Sequence, residues 1–254
     1  MLLPDFKRVL VIGDSCEDIY HYGTCDRLSP EAPVPVLKLK RLESKPGMCL
    51  NVAKNLEGLG IAVKVITQKK AIKKHRFIDD KHHVHLLRVD EDPDDLDEIC
   101  IQDVRDELEK TTYDAVVISD YNKGFISQSL AAQLVKSLGN NLTFVDSKKH
   151  DLRPYSDCII KVNQKEKDAI KNLPENYELI VTLGEDGASW RDRKYPTKKT
   201  QMHDVCGAGD TFIAGLVYMY LQTSSFEDAI TFANRCASMS VSHFGNFVID
   251  RSLL

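Results

Sequence analysis

Runs of consecutive apolar residues recur along the chain, separated by segments in which apolar positions return every three or four residues. Six runs are rich in Val and Ile: residues 9–13, 63–67, 115–120, 142–147, 158–163 and 179–184. Continuous apolar runs are typical of strands that are buried on both faces of a parallel sheet. The pattern therefore predicts a mainly parallel central sheet.

The segments between these runs have the period of amphipathic helices. In residues 51–60, Val52, Leu56 and Leu59 form one stripe and Gly60 is a typical helix stop. Similar patterns predict four further helices, at residues 96–110, 127–139, 209–222 and 226–242. Strands that alternate with helices indicate an α/β fold, a three-layer α/β/α sandwich.

Two segments depart from this rhythm because their apolar and polar residues alternate. Residues 16–45 contain the stretch "VPVLKLKRL", and residues 76–90 alternate in the same way. Alternation predicts strands with one exposed face, so we expect a small β-lid beside the main sheet, within one domain that covers residues 1–254. A small exposed sheet has unpaired edges that need cover, which predicts a homodimer through the lid.

Composition narrows the class of protein. The formal net charge of −4 gives no electrostatic reason to expect nucleic acid or an anionic membrane as a partner. Apolar runs of about five to seven residues are too short to span a bilayer, and a proline and charges interrupt any signal peptide. Seven scattered cysteines without a C-x-x-C pair indicate reduced thiols. We therefore expect a cytoplasmic protein.

The most informative motif is "GAGD", in which an acid follows a glycine turn at the start of a predicted helix. Gly207 and Gly209, on either side of Ala208, let the backbone turn sharply and bring its N–H groups close to a ligand. Together with a helix N-terminus they predict an anion hole for a phosphoryl group in transfer. Asp210 could then accept the proton of an attacking hydroxyl. A capping aspartate at an ordinary helix start remains an alternative, because short glycine motifs often match by chance.

This segment resembles the C-terminal signature of the ribokinase-like carbohydrate kinases, the PfkB family. Other motifs agree in the family's order: "VIGD" after the first strand, "PGMCLNVA" at residues 46–53, "NQKE" at residues 163–166 and "VTLG" at residues 181–184. The resemblance spans nearly the whole chain. It implies the ribokinase-like fold and a kinase that uses ATP and Mg²⁺.

The resemblance also implies roles for individual residues. Asp210 is implied as the catalytic base, with the backbone of Gly207, Ala208 and Gly209 as the anion hole. Substrate binding is implied for Asp14, Asp18, Gly47 and Asn51. ATP binding is implied for Asn163, Glu166, Thr182, Gly184 and Asn234, with Glu166 also organising Mg²⁺. Structural alternatives stay open for several of them: a turn aspartate, an exposed loop residue, a solvated helix start or an ordinary polar helix residue.

The lid segment "DRLSPEAPVPVLKL" is similar to D-glycero-β-D-manno-heptose 7-phosphate kinases. This similarity implies phosphorylation of the anomeric hydroxyl of that phosphorylated sugar. The chain departs from the family at Met48, where a second glycine is usual, and at Cys206, where threonine is common. It also joins "VKVIT" to "RFIDD" by a short link where relatives carry a helix and more strands. These departures leave two alternatives: a catalytically impaired nucleotide- or sugar-binding protein, or a kinase for another sugar or a nucleoside.

Overall fold

A computed structural model describes residues 7–198, 200 and 204–253. Its strands are β1 (Arg8–Gly13), β2 (Ser15–Thr24), β3 (Lys38–Met48), β4 (Ala62–Ile66), β5 (Ile72–Asp79), β6 (Val84–Glu91), β7 (Ala115–Asp120), β8 (Thr143–Ser147), β9 (Cys158–Asn163), β10 (Tyr177–Thr182), β11 (Ala188–Trp190) and β12 (Arg193–Tyr195). Its α-helices are α1 (Cys49–Gly58), α2 (Ile101–Lys110), α3 (Gln128–Leu138), α4 (Gln164–Ala169), α5 (Ala208–Thr223) and α6 (Phe226–Ser240).

Eight strands form the central sheet, in the order β12-β11-β10-β9-β8-β7-β1-β4. The six strands from β10 to β4 pair in parallel, and β11 and β12 add an antiparallel hairpin at one edge. In a parallel sheet the carboxyl ends of all strands meet at one edge, where α/β proteins bind ligands. The residues that follow β1, β7, β8 and β9 therefore lie at a common edge.

Helices cover both faces of this sheet. Val9 and Val11 of β1 pack in the cluster that includes side chains of α1, α5 and α6. Leu10 and Ile12 point the other way, into the cluster with α2 and α3. All four side chains are fully buried. The predicted three-layer α/β/α sandwich is confirmed, and the continuous apolar run of β1 follows from burial on both faces.

The lid is a separate four-stranded sheet in the order β3-β2-β5-β6. Side chains of β2 alternate: Cys16, Asp18, Tyr20 and Tyr22 are buried, and Glu17, Ile19 and His21 between them are half-buried. The other face carries exposed apolar side chains, among them Leu42 and Leu87. The four strands of this sheet lie within residues 15–48 and 72–91, and residues 67–71 join β4 to β5.

One predicted helix starts later than its pattern suggests. The period predicts a helix from residue 96, but α2 begins at Ile101. The preceding residues are held by other segments: the N–H of Ile99 donates to the Phe125 carbonyl at 2.8 Å, and the N–H of Lys69 donates to Asp97 at 2.8 Å. These long-range bonds replace the first helical turn.

The sequence predicts a cytoplasmic protein with reduced thiols, and two features of the structure bear on these predictions. No helix in the described part of the chain combines the length and the apolar character needed to cross a bilayer. None of the seven cysteines is in a disulfide.

Candidate active site

The glycine turn forms the start of α5. Gly207 has φ 71°, in the left-handed region that glycine favours, and it is the residue immediately before the helix. A Cβ on Gly207 would lie only 2.6 Å from Asn51 Nδ2 and 3.0 Å from Asn246 Oδ1, so a side chain has no room. The first N–H groups of a helix have no acceptor within it, and they attract anions. The Ala208 N–H donates to the Val205 carbonyl at 3.3 Å. The glycine turn at the start of α5 is therefore confirmed as a structural feature, and its role as an anion hole remains a prediction.

Asp210 is buried in the first turn of α5, with 4% of its surface exposed. Its Oδ1 accepts a hydrogen bond from the Tyr121 hydroxyl at 2.6 Å, and its Oδ2 accepts one from Asn51 Nδ2 at 2.9 Å. Burial raises the pKa of Asp210 to about 6, and the two hydrogen bonds oppose that rise. A carboxyl group with a pKa close to neutral is suited to general acid–base chemistry.

Asn51 reaches Asp210 from the start of α1, directly after β3. Met48 has φ 56° at this junction, a conformation that costs a residue with a side chain about 1–3 kcal/mol. Its buried side chain packs with Cys16 and Ile72 of the lid, and Tyr121 packs against this cluster. The residue that replaces the family's second glycine thus joins the lid to the site.

Asp14 and Asp18 lie close to the site, but protein groups occupy their carboxylates. Asp14 is fully buried and accepts the N–H of Tyr121 at 2.7 Å, with longer bonds from Lys123 and Phe125. Burial raises its pKa, with a further contribution from the charge of Asp120. The Asp14 carboxylate therefore organises the loop after β7.

Asp18 lies in β2, not in an exposed loop. Its Oδ1 accepts two hydrogen bonds from Arg76, at 3.0 and 2.8 Å, and its Oδ2 accepts one from Asn246 at 2.8 Å. Gly47 lies opposite, and a Cβ there would come within 2.3 Å of Asp18 Oδ2. Asp18 thus holds the lid strand β5 and the chain after α6 together beside the glycine turn.

Asn163 and Glu166 form a capping box at the start of α4. Asn163 Oδ1 accepts the N–H of Glu166 at 2.9 Å, and Glu166 Oε2 accepts the N–H of Asn163 at 2.8 Å. The remaining oxygen, Oε1, contacts Lys148 Nζ at 3.0 Å. Burial alone would raise the pKa of Glu166, but the Asn163 N–H and the lysine charges more than offset it, so the pKa lies below its usual value. Glu166 is therefore ionised at neutral pH.

Three residues predicted to bind the nucleotide share a cavity of about 530 Å³. Thr182, Gly184 and Asn234 line it together with Ala208 and Gly209 of the glycine turn. Cavities of this size commonly hold small ligands. The structure thus brings three of the five predicted nucleotide residues together with Ala208 and Gly209, whereas Asn163, Glu166 and Gly207 do not line this cavity.

Several polar residues of the site have no predicted role. Tyr121 follows β7, Asn246 follows α6, and Lys161 of β9 forms a buried salt bridge of 2.7 Å with Asp146 of β8. Lys148 points to Glu166 and lies 4.4 Å from the centre of the Tyr121 ring. For Tyr121 and Lys148, the position directly after a parallel strand is the sequence signal that could have indicated them.

In the described residues, no three His, Cys, Asp or Glu side chains are close enough to hold a metal ion by themselves. Mg²⁺ is commonly bound through one or two carboxylates together with phosphates and water. Glu166 fits that mode, because it is ionised and its Oε1 has only the half-exposed Lys148 as partner.

A comparison with protein families matches residues 128–247 to the pfkB family carbohydrate kinases. Two similar curated proteins are the bifunctional protein HldE of Campylobacter fetus, 30% identical over 296 aligned positions, and that of Helicobacter pylori strain J99, 32% identical over 298. Each comparison covers 94% of this chain and 64% of the relative, so the chain spans less than two thirds of their length. The alignments are longer than the 254 residues of this chain, so the relatives contain segments that it lacks.

Solved structures show the same fold at low identity. Phosphofructokinase-2 from Escherichia coli superimposes with a TM-score of 0.77 and 14% identity, covering 97% of this chain and 96% of that one. Ribokinase from Thermotoga maritima has a TM-score of 0.69 and 16% identity, covering 95% of both chains. The fold is ribokinase-like.

Proposed function

Because the chain belongs to the pfkB family of carbohydrate kinases, we propose that it transfers the γ-phosphate of ATP to a hydroxyl group of a phosphorylated sugar. One observation carries the proposal. Ala208 and Gly209 line the cavity that would hold the nucleotide, and the next residue, Asp210, is a buried carboxyl group with a pKa of about 6. The donor phosphate and the base for the acceptor therefore meet at one turn.

The chain's own residues would divide the reaction between them. The N–H groups of Gly207, Ala208 and Gly209 would stabilise the charge on the phosphoryl group as it is transferred. Asp210 would accept the proton of the attacking hydroxyl. Asn51 fixes one oxygen of that carboxylate, at 2.9 Å. The glycine turn and Asp210 would thus supply the backbone donors and the base of the catalytic step.

The nucleotide and its metal would bind on the β9–β10 side of the turn. Thr182, Gly184 and Asn234 would contact the nucleotide from the walls of the 530 Å³ cavity. Asn163 and Glu166 would hold Mg²⁺ and the phosphates, and Mg²⁺ would neutralise phosphate charge when bound. Lys148 would turn from Glu166 Oε1 toward phosphate, because its salt bridge is half-exposed.

The acceptor would bind on the lid side, near Asp14, Asp18, Gly47 and Asn51. We propose D-glycero-β-D-manno-heptose 7-phosphate, with its anomeric hydroxyl as the nucleophile, since the lid segment at residues 26–39 is similar to kinases for that sugar. Because protein groups occupy Asp14 and Asp18, sugar hydroxyls would bind them only through lone pairs that these hydrogen bonds leave free.

A turnover assay tests the proposal. ADP release is measured with ATP, Mg²⁺ and a panel of heptose 7-phosphate, other sugar phosphates, free sugars and nucleosides. Wild type and Asp103→Asn, a change of an exposed residue on α2, are expected to turn over heptose 7-phosphate, and Asp210→Asn is not. Equal turnover by wild type and Asp210→Asn would refute the proposed base.

The panel also separates the alternatives. Turnover of another acceptor would replace the heptose but keep the kinase. Calorimetric binding of ATP without turnover of any acceptor would favour the catalytically impaired binding protein.

We further propose a homodimer through the outer face of the lid. Leu42, His21, Phe77 and Leu87 form one row across all four lid strands on that face. Leu42 is 59% exposed and Leu87 is 58% exposed, and apolar faces of this kind commonly mark interfaces. Sedimentation at micromolar concentration is expected to show a dimer that Leu42→Lys with Leu87→Lys converts to a monomer. A monomeric wild type would contradict the proposal.

A further inference from the structure

Tyr121 is fixed in place from its backbone outward. It is the first residue after β7, and its N–H donates to Asp14 Oδ2 at 2.7 Å. The next N–H, of Asn122, donates to Asp120 Oδ1 at 2.9 Å. Both contacts hold the loop at the carboxyl edge of the sheet. The Tyr121 side chain therefore leaves a rigid position and reaches Asp210, a residue far away in the sequence.

The Tyr121 ring is also held by its neighbours. It packs on the buried cluster of Cys16, Met48 and Ile72, which links the lid to the start of α1. The ammonium group of Lys148 lies 4.4 Å from the ring centre and that of Lys74 lies 5.5 Å away, both within the range of cation–π attraction. The hydroxyl group thus approaches Asp210 Oδ1 at 2.6 Å in a restrained direction.

We infer that Tyr121 is a positioning residue for the proposed base: its hydroxyl holds Asp210 in the ionised form and in one orientation. The inference rests on the proposed function. An ionised carboxylate has about four acceptor positions, and Tyr121 and Asn51 occupy one on each oxygen. A position remains for the acceptor hydroxyl. Its proton would pass to Asp210 as its oxygen bonds to the γ-phosphorus, while the bond from that phosphorus to the bridging oxygen breaks and ADP leaves with the electron pair. Tyr121 keeps its own proton throughout.

The charged and titratable groups around Asp210 come from every neighbouring element. They are Tyr121 after β7, Asp146 of β8, Lys148 after β8, Lys161 of β9, Cys16 of β2 and Cys49 of α1. Burial raises the pKa of Asp210. The hydrogen bonds from Tyr121 and Asn51 lower that pKa. The charge of Asp146 raises it, and the charge of Lys161 lowers it. Burial also raises the pKa of Tyr121 well above its usual value, so its hydroxyl stays a donor at neutral pH.

Tyr121→Phe keeps the ring and removes the hydrogen bond. The midpoint of the acidic limb of kcat/KM against pH is expected to rise by about 1 pH unit, because the lost bond favoured the ionised carboxylate. The rate loss is then largest at low pH and shrinks as pH rises. A purely structural role would lower the rate equally at all pH values. The matched control is Tyr155→Phe, which removes a bond of the same 2.6 Å length to Asp120 and should leave the midpoint unchanged.

A second measurement does not depend on turnover. Carboxyl ¹³C NMR of aspartate-labelled protein follows the titration of Asp210, assigned by the signal that Asp210→Asn removes. Tyr121→Phe should raise this midpoint by about 1 pH unit relative to wild type and to Tyr155→Phe. An unchanged midpoint overturns the inference. A shifted midpoint in a protein that phosphorylates no acceptor supports the contact and refutes the proposed function, so the two failures are distinguishable.

Discussion

Two buried aspartates accept a tyrosine hydroxyl over the same 2.6 Å, but they differ in charge compensation. Asp120 accepts a hydrogen bond from the Tyr155 hydroxyl, and Lys149 Nζ lies 2.8 Å from each carboxylate oxygen of Asp120. Asp210 receives Tyr121 and the neutral amide of Asn51, and no Lys or Arg of the described chain forms a salt bridge with it. A buried carboxylate that is paired with a cation has a structural role, whereas a buried carboxyl group without a paired cation can act in proton transfer.

The largest expected effect is on catalysis at the Asp210 centre. Asp210→Asn removes the proposed base but keeps the shape of the side chain. We expect kcat to fall by about 10²–10⁴-fold, the usual contribution of general base catalysis. Single-turnover kinetics with saturating ATP and acceptor measure it. The same substitution at Asp120 should instead act on folding, and a loss of kcat in a stably folded Asp120→Asn would weaken the contrast.

The next effect is on stability at the Asp120 centre. Lys149→Met leaves the Asp120 carboxylate buried without its cation, which typically costs about 3–5 kcal/mol of unfolding free energy. Urea denaturation of the variant measures the loss. Adding Asp120→Asn to the same chain should recover part of it, because the uncompensated charge is then gone. A loss below about 1 kcal/mol would show that water or another group replaces Lys149.

The layered fold and its lid could be predicted because their patterns are local. β1 is an unbroken apolar run since both of its faces are buried, and β2 alternates since one face is half-exposed. Helix starts were harder: α2 begins five residues late because Ile99 and Asp97 are hydrogen-bonded to distant segments. The local periodicity of the sequence gives no indication of such tertiary contacts.

The site was predictable only where a motif marks it. Asp210 and Asn51 belong to motifs and do meet. No role was predicted for Tyr121, because its contact with Asp210 joins positions 89 residues apart and no spacing within the sequence indicates that contact. Asn163 and Glu166 form a capping box, so the alternative that they are a helix start is confirmed. Glu166 Oε1 takes no part in the capping box and contacts Lys148. Their role toward Mg²⁺ remains a prediction.

A third prediction concerns the pH dependence of stability. The pKa of Asp210 is raised from 3.8 to about 6 in the folded state, so the folded protein keeps a proton that the unfolded chain loses. This contribution to stability is complete below pH 3.8 and disappears as pH rises through about 6. It is about 3 kcal/mol for such a shift. The unfolding free energy of wild type relative to Asp210→Asn should fall by about that amount between about pH 3 and pH 7, as urea titrations would measure. A difference independent of pH would contradict it.

The smallest expected effect on stability separates two adjacent lysines. Both lysines follow the end of β8, but they have different partners: Lys148 Nζ contacts Glu166 Oε1 at 3.0 Å, whereas Lys149 Nζ lies 2.8 Å from Asp120. The salt bridge of Lys148 with Glu166 is half-exposed, and such pairs contribute about 0–1 kcal/mol. Lys148→Met should therefore change the unfolding free energy by less than about 1 kcal/mol.

Its effect on turnover should nevertheless be clear, because Lys148 is the half-exposed cation between Glu166 and the Tyr121 ring, where phosphate charge would develop. We expect kcat to fall about tenfold or more, which corresponds to about 1.4 kcal/mol. Kinetics and urea denaturation on the same Lys148→Met sample measure both quantities. A stable variant with full activity would limit Lys148 to the fold, like its neighbour, and would narrow the chemistry to the glycine turn, Asp210 and its two hydrogen-bond donors.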